Sequence, residues 1–247
     1  MGKKYKNPPV VEAVCEFRFE PSGRWDLTVP GLVYEKLKGA FPKRRAAKLL
    51  EASVEVGQQG VEQKLTTMEG MEFLRDDEKA FVRVAQDMLS VHQLRPYPAW
   101  PQFVPLIRQG FEAFCEVAKP NGLHRIGLRY VNRIEIPTAS VELEEYFHFH
   151  PSVGPDLPQE YGRFLVAIEI AYDGQRDMLR LQAIGPPVAP ATSVVAILDL
   201  DYFLAQPGGI RLNEVFEWLQ TAHTRVEVVF EGCITDRLRG IFEEIQT

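Results

Sequence analysis

The sequence predicts an α+β fold of two tandem β-α-β(3–4)-α units, in which antiparallel sheets are packed by helices. Alternating apolar and polar residues indicate strands, whereas apolar residues at helical spacing indicate helices. Both patterns recur in a similar order in the two halves of the chain. Helices do not separate most of the strands, which excludes a parallel doubly wound sheet.

The expected boundary separates an N-terminal unit, residues 1–122, from a C-terminal unit, residues 123–247. The dipeptide Asn121-Gly122 marks it, because this pair ends a helix and starts a turn. The halves share no evident sequence identity, so the predicted duplication rests on the order of the elements alone. One compact domain is the alternative.

The first half opens on a strand and closes on a helix. Apolar residues alternate with charged ones, Glu12, Glu16, Arg18 and Glu20, between residues 11 and 20, and a helix is expected between Pro30 and Pro42. The basic residues Lys43, Arg44, Arg45 and Lys48 follow in a predicted loop. Three or four strands are expected from about residue 49 to 94, before a helix with apolar residues at helical spacing over 103–114.

The second half starts with the clearest strand of the chain, Arg125 to Ile136. A short helix over residues 141–146 and a proline-rich loop follow it. Thr235 or Asp236 is expected to cap a last short helix that follows a long one. Between these segments the alternation predicts three strands, at residues 164–172, 178–184 and 194–203.

Composition excludes several classes of protein. Of 247 residues 45% are hydrophobic and 25% charged, as in globular proteins, and the net charge of −6 argues against general nucleic-acid binding. Neither a signal peptide nor an apolar run of about 18 residues is present, so we expect no membrane insertion. The cysteines are few, distant and set in apolar surroundings: Cys15, Cys115 and Cys233. Buried thiols in a reducing compartment, the cytoplasm, are therefore expected.

Motifs for catalysis or cofactor binding are absent from the sequence. It has no nucleophile elbow and no glycine-rich phosphate loop. His148 and His150 have the spacing of a strand-borne ligand pair, but no second cluster supplies further ligands. We therefore expect no catalytic residues, no metal and no cofactor.

Three separated motifs in this order resemble one family of bacterial proteins: Asn7–Val14 (NPPVVEAV), Leu128–Ile134 (LRYVNRI), and Ala222-His223 with Phe230-Glu231 and Ile234–Asp236. The family is sporadically distributed, has about this length, and carries a provisional label without an assigned activity. The resemblance covers nearly the whole chain. The pair Gly232-Cys233 is smaller than the family pattern at that point.

The resemblance implies a bacterial protein of patchy occurrence. Some relatives look like accessory proteins of defence loci, including CRISPR-associated ones. It transfers no catalytic residues to this chain, so it supports a role by association only. The implied partner is another protein, encoded nearby.

An arginine row is the first candidate binding feature. Arg125, Arg129 and Arg133 recur every fourth residue on a strand, so they share one face, about 13 Å apart in succession. A row of guanidinium groups binds phosphates or an acidic segment of a partner. The alternative is a cross-strand ladder with the glutamates of the first strand, Glu12, Glu16 and Glu20.

Three further candidate features lie outside the arginine row. Asn132 shares the apolar face of the Arg125 strand, as a structural tie or as a polar anchor in a ligand pocket. His223 and Glu227 stand one helical turn apart, as an acid/base pair or a plain helix-surface pair. Tyr97 and Trp100 lie among prolines, as an exposed platform for a partner or a stiff entry to a buried helix.

The sequence thus favours a non-catalytic protein-interaction or regulatory accessory protein of a bacterial defence locus. The first alternative is an enzyme acting on a nucleotide or nucleic acid through the arginine row, His223 and Glu227. The second is a nucleotide sensor in a groove between the two halves. Oligomeric state is left open.

Overall fold

The computed structural model describes residues 3–21, 25–57, 60–158, 163–185 and 192–245, with side chains outside 49–66. The helices and strands of this part follow in the order β1 (Val10–Phe19), α1 (Val29–Leu37), β2 (Lys43–Gly57), β3 (Gly60–Leu74), β4 (Ala80–Ala85), β5 (Met88–Leu94), α2 (Trp100–Ala118), β6 (Leu123–Ile136), β7 (Phe164–Tyr172), β8 (Asp177–Gly185), β9 (Val194–Leu204), α3 (Val215–Cys233) and α4 (Asp236–Phe242).

The strands form a single nine-stranded antiparallel sheet, in the order β2-β3-β4-β5-β1-β6-β9-β8-β7. The expected arrangement of two tandem units, each with its own helix-packed sheet, is therefore wrong. β1 pairs with β6 from Val10–Asn132 to Phe19–Leu123, and this pairing joins the two halves edge to edge. The first strands of the two halves are therefore hydrogen-bonded neighbours.

One face of the sheet carries the helices and the core. Phe111 of α2 lies 5.0 Å from Phe17 of β1, measured between ring centroids, and Trp218 of α3 lies 5.3 Å from Tyr202 of β9. Alternate residues of the strands point to this helix face. On β1 and β6 its buried members are Ala13, Cys15, Phe17, Phe19, Leu123, Ile126, Leu128, Tyr130, Asn132, Ile134 and Ile136.

The second half has less helix than the first between its first two strands. Where a short helix was expected, a 3₁₀ turn spans Leu143–Glu145. The segment that follows pairs with the end of α3 through Phe147 and Ile234, and it lines a small cavity together with Ala183 and Ala196. This segment therefore packs on the helix face beside β8 and β9.

Local signals explain where several elements begin. Pro30 lies in the first turn of α1, where a missing backbone N–H costs nothing. Thr235 caps α4 by accepting a hydrogen bond from the Leu238 backbone N–H. The basic residues 43–48, expected to form a loop, instead begin β2, where pairing with β3 overrides their low strand propensity.

Candidate functional site

The sequence-predicted site residues lie on opposite faces of the sheet. Arg125, Arg129 and Arg133 project from β6 to the face on which no described helix packs, which we call the open face. The helix face holds the other candidates, which are Tyr97, Trp100, Asn132, His223 and Glu227. The arginine row and the His223–Glu227 pair therefore do not meet in one cleft.

On the open face the arginines of β6 form ion pairs with aspartates of β9. Arg125 donates from Nη2 to Asp201 Oδ2 at 2.9 Å. Arg129 donates from Nε and Nη2 to the two oxygens of Asp199, at 2.8 and 2.5 Å. The Asp199 carboxylate is buried, whereas half of the Arg129 side chain is exposed. Hydrogen bonding to Asp199 raises the pKa of Arg129, and burial raises the pKa of Asp201 above its ordinary value.

Phe203 extends this network towards the edge of the sheet. The guanidinium carbon of Arg125 lies 4.7 Å from the Phe203 ring centroid, and that of Arg180 lies 5.7 Å from it. Arg180 also donates to Glu169 of β7 at 2.7 Å. The Phe203 ring thus contacts two guanidinium groups, and each cation–π contact is stabilising.

Gly127 makes room for the Arg125 side chain. A Cβ at this position would lie 2.9 Å from Arg125 Nη1 and 3.3 Å from Asp201 Oδ1. The guanidinium therefore lies close over the backbone of β6. A glycine inside a strand often marks such a close approach.

The glutamates of β1 contribute less than the ladder hypothesis requires. Glu16 lies 3.6 Å from Arg125 and accepts from Arg18 at 3.0 Å. Glu12 instead bonds His92 Nδ1 at 2.8 Å. That hydrogen bond lowers the pKa of Glu12, and burial lowers the pKa of His92.

Arg133 does not extend the network across the sheet. Its Nη1 donates to Glu135 on the same strand at 2.7 Å, and Glu135 also accepts from Ser193. Both side chains of the Arg133–Glu135 pair are largely exposed.

Only part of the open face is accessible. Towards β3 and β4 it is closed, since Glu72, Phe81 and His92 are buried and Glu72 is held by Arg45 and Arg83. The accessible part lies over β1, β6, β9, β8 and β7, which are neighbours in this order. We call its ionic network the charged belt, made of Glu16, Arg18, Arg125, Arg129, Arg180, Glu169, Asp199 and Asp201.

The helix-face candidates form an aromatic cluster between α2, α3 and β6. Trp100 is buried and its ring stacks on His223, with centroids 4.4 Å apart. Tyr97 and Tyr130 share a hydrogen bond of 2.9 Å between their hydroxyls. Glu227 lies 3.6 Å from His223 Nε2. Burial lowers the pKa of His223 to about 4, so its ring is neutral at physiological pH.

Asn132 serves as a tie between strands. Its side-chain amide is buried and donates to the Leu198 carbonyl of β9 at 3.0 Å. This hydrogen bond offsets the free-energy cost of burying a polar amide on the apolar face.

A further polar cluster, which sequence reasoning missed, anchors α3 to β8. Asp177 is fully buried and accepts from Trp218 Nε1 at 3.0 Å, from Tyr202 at 3.0 Å and from Arg176 at 2.7 Å. Arg225 adds a bidentate pair with Asp173, both bonds being 2.9 Å long. Both carboxylate oxygens of Asp177 accept hydrogen bonds from side chains of this cluster, which is typical of a structural network.

Sequence signals existed for some of the missed residues. Asp199 and Asp201 alternate with apolar residues within β9, so they mark a polar stripe on one strand face. Gly127 interrupts the clearest strand pattern of the chain. The alternation does not show which strand lies beside β9 and supplies the side chains that pair with these aspartates.

The described residues contain no group of three or more His, Cys, Asp or Glu side chains placed to hold a metal ion. His150 bonds the Pro151 carbonyl through Nδ1. Across the same part of the chain, no helix has both the length and the hydrophobicity to cross a membrane. The chain matches no protein-family model, and no curated protein is significantly similar to it.

Proposed function

We propose that this chain is a non-catalytic protein-interaction protein whose partner binds the accessible part of the open face. The carrying observation is the charged belt: its arginines are already held by Asp199, Asp201 and Glu169 at a half-exposed surface. Side chains ordered before binding lose less entropy on association. Arginine next to an aromatic ring, as at Phe203, is typical of residues that dominate protein interfaces.

The sign pattern of the belt supports a protein partner over a phosphate-bearing one. Arg125, Arg129 and Arg180 each have a carboxylate within 3 Å, which a phosphate would have to displace or approach. Binding to nucleic acid depends on unneutralised cations. A surface of mixed sign instead suits the mixed charges of another protein.

The helix-face cluster does not favour catalysis. His223 and Trp100 are each 8% exposed, so neither ring offers its reactive or stacking face to a substrate from solvent. A general acid or base must reach its substrate directly or through one water molecule. This burial supports a structural role for the cluster.

The proposed setting is a bacterial defence locus, with the partner encoded nearby and binding in the cytoplasm. That setting rests on the resemblance carried by the motifs at residues 7–14, 128–134 and 222–236. The proposed binding at the charged belt does not depend on this resemblance, because the belt would bind any partner of complementary charge.

A charge swap tests the proposal without leaving an unpaired charge. Arg180→Glu with Glu169→Arg preserves the cross-strand pair but reverses its orientation, and both side chains are nearly half exposed. We expect binding to the protein products of adjacent genes, measured by calorimetry, to weaken at least about tenfold, or ~1.4 kcal/mol.

The matched control is Arg211→Glu with Glu214→Arg, an exposed pair before α3. It should leave the affinity unchanged. The proposal fails if no adjacent gene product binds the parent protein, or if the swap on the belt is as harmless as the control.

A further inference from the structure

A row of alternating charge crosses four neighbouring strands of the open face. The cross-strand register places Glu169 of β7 opposite Arg180 of β8. Arg180 in turn lies opposite Asp201 of β9, and Asp201 lies opposite Arg129 of β6. Since neighbouring strands lie about 4.8 Å apart, the row spans about 14 Å. From β7 to β6 this alternating row reads negative, positive, negative, positive.

Such a row is complementary to its own reverse. In a second copy that lies face to face on the first, with a twofold axis parallel to the strands between β8 and β9, the row runs in the opposite direction. Glu169 then faces Arg129 of the other copy, and Arg180 faces Asp201. A twofold axis along the row would instead place each charge over its own copy, and like charges in contact are strongly unfavourable. The charges therefore select the first axis.

The outer members of the row keep one polar atom each for such a contact. Glu169 accepts both hydrogen bonds from Arg180 at Oε1, and Arg129 donates to Asp199 from Nε and Nη2. Within the described part of the chain, no hydrogen bond involves Glu169 Oε2 or Arg129 Nη1. The two side chains are 45% and 49% exposed. A free acceptor and a free donor are thus available at opposite ends of the row.

The inner members repeat this arrangement. Arg180 uses Nε and Nη2 for Glu169, and Asp201 accepts from Arg125 at Oδ2. Among the described contacts, Arg180 Nη1 and Asp201 Oδ1 form no hydrogen bond. Each member of the row therefore retains one atom of the type that the facing residue of a second copy needs.

We propose that a second copy of this chain binds the open face through the alternating row, as a face-to-face dimer with its twofold axis between β8 and β9. A twofold interface places the same patch on both copies, so the patch must complement itself. The strands of the two sheets are then roughly aligned, as in a β-sandwich. The charged belt contains four arginines and four carboxylates, so it has no net charge that opposes a second copy.

The residues on either side of the row are compatible with the same axis, because no like charges meet there. Four further contacts between the copies follow from the register: Met178 with Phe203, Ala171 with Gly127, Ala167 with Val131, and Gln182 with Asp199. The first joins two apolar side chains, and the last pairs an amide with a carboxylate. Ala171 is small, which leaves room for the Arg125 guanidinium that lies over Gly127. The contact is small, so the dimer is expected to depend on protein concentration.

The dimer covers the face at which the proposed partner binds. Self-association and partner binding therefore exclude each other, and this consequence alone rests on the proposed function. The dimer itself is measured on the chain without a partner.

Sedimentation across a concentration series tests the dimer and its charges. The parent chain should shift from monomer to dimer. Arg180→Glu with Glu169→Arg keeps the pair within one copy but places like charges over Asp201 and Arg129 of the other. This variant should keep the parent's melting temperature and raise the dissociation constant of the dimer at least about tenfold. The control swap, Arg211→Glu with Glu214→Arg, should dimerise like the parent.

A cross-link tests the position of the axis. In a Cys115→Ser background, Gln182→Cys places the two thiols one strand spacing from each other across the facing sheets, with Cα atoms about 11 Å apart. A short bismaleimide should join them into a covalent dimer. Val228→Cys, at an exposed position of α3, is the matched control and should stay monomeric under the same treatment.

A parent chain that stays monomeric at every concentration would overturn the proposal. So would a belt swap that dimerises as tightly as the parent, or cross-linking of Val228→Cys as efficient as that of Gln182→Cys. A negative result here leaves partner binding untouched, because calorimetry with the adjacent gene products measures that separately. The absence of any partner would likewise leave the dimer in place.

Discussion

The rings of Trp100 and His223 stack with centroids 4.4 Å apart and planes inclined by 20°, joining the start of α2 to the middle of α3. Trp100 is held further by a hydrogen bond of 2.9 Å from Nε1 to Gln220. Tyr130 of β6 contacts the edge of the same imidazole. The stack therefore ties both long helices to the central strands of the sheet.

Stability should fall in acid because His223 is held neutral. Its pKa is about 4 in the folded chain and about 6.5 when unfolded. Between these values the unfolded state binds a proton that the folded state does not. The free energy of unfolding should therefore keep its full value above pH 6.5 and fall by roughly 3 kcal/mol on acidification to pH 4.

Urea unfolding of the parent and of His223→Gln between pH 4 and 7 measures how much His223 contributes to this loss of stability. The variant should be less stable at pH 7, because the stack is lost, but its stability should vary less with pH. His92 remains in both proteins and contributes in the same direction, since burial lowers its pKa too. Parallel pH profiles for the two proteins would refute the assignment to His223.

Removing the charge of Asp177 should be costly. Asp177→Asn replaces one fully buried acceptor oxygen by a donor, opposite groups that themselves donate, among them Trp218 and Arg176. We expect a loss of about 2–4 kcal/mol in the free energy of unfolding, measured by urea denaturation. Glu214→Gln, in the exposed pair with Arg211, should leave the free energy of unfolding nearly unchanged.

The Arg129–Asp199 pair should show strong coupling. Arg129→Met leaves the buried Asp199 carboxylate without its bidentate partner, and should cost about 1–3 kcal/mol because Arg129 itself is half exposed. Adding Asp199→Leu should recover most of this loss. A double-mutant cycle in which the two single losses simply add would contradict the coupling.

The native thiols should react slowly at neutral pH. Burial raises the pKa of Cys115 to about 11, that of Cys233 to about 12, and that of Cys15 well above its ordinary value. Since the thiolate is the reactive form, a thiol-specific dye should label half-buried Cys115 first and the others only on unfolding. Cys115→Ser should abolish the early phase, and rapid labelling of Cys15 would contradict the expectation.

Much of the local structure was predictable from the sequence. The three strands expected at residues 164–172, 178–184 and 194–203 are found at Phe164–Tyr172, Asp177–Gly185 and Val194–Leu204. The same periodicity places the arginines of β6 on one face and Asn132 on the other. Such features depend on neighbours a few residues apart, which the sequence displays directly.

Prediction failed where distant segments had to be matched. The two halves read as separate units because nothing in either strand shows that β1 and β6 pair with each other. The ladder hypothesis places the partner of Arg129 on β1, whereas that partner is Asp199, 70 residues further along the chain. Gly127 was a local signal, but its role appears only once Asp201 lies beside it.

The sequence by itself therefore determined most of the elements and, for β1 and β6, the buried side and the polar character of the opposite side. The tertiary structure alone decided that nine strands share one sheet, that Arg129 and His223 lie on opposite faces, and that β7 is left at an edge. The physical reason is range. Side-chain alternation is imposed by backbone geometry within one strand, whereas strand order depends on long-range pairing that the local pattern leaves open.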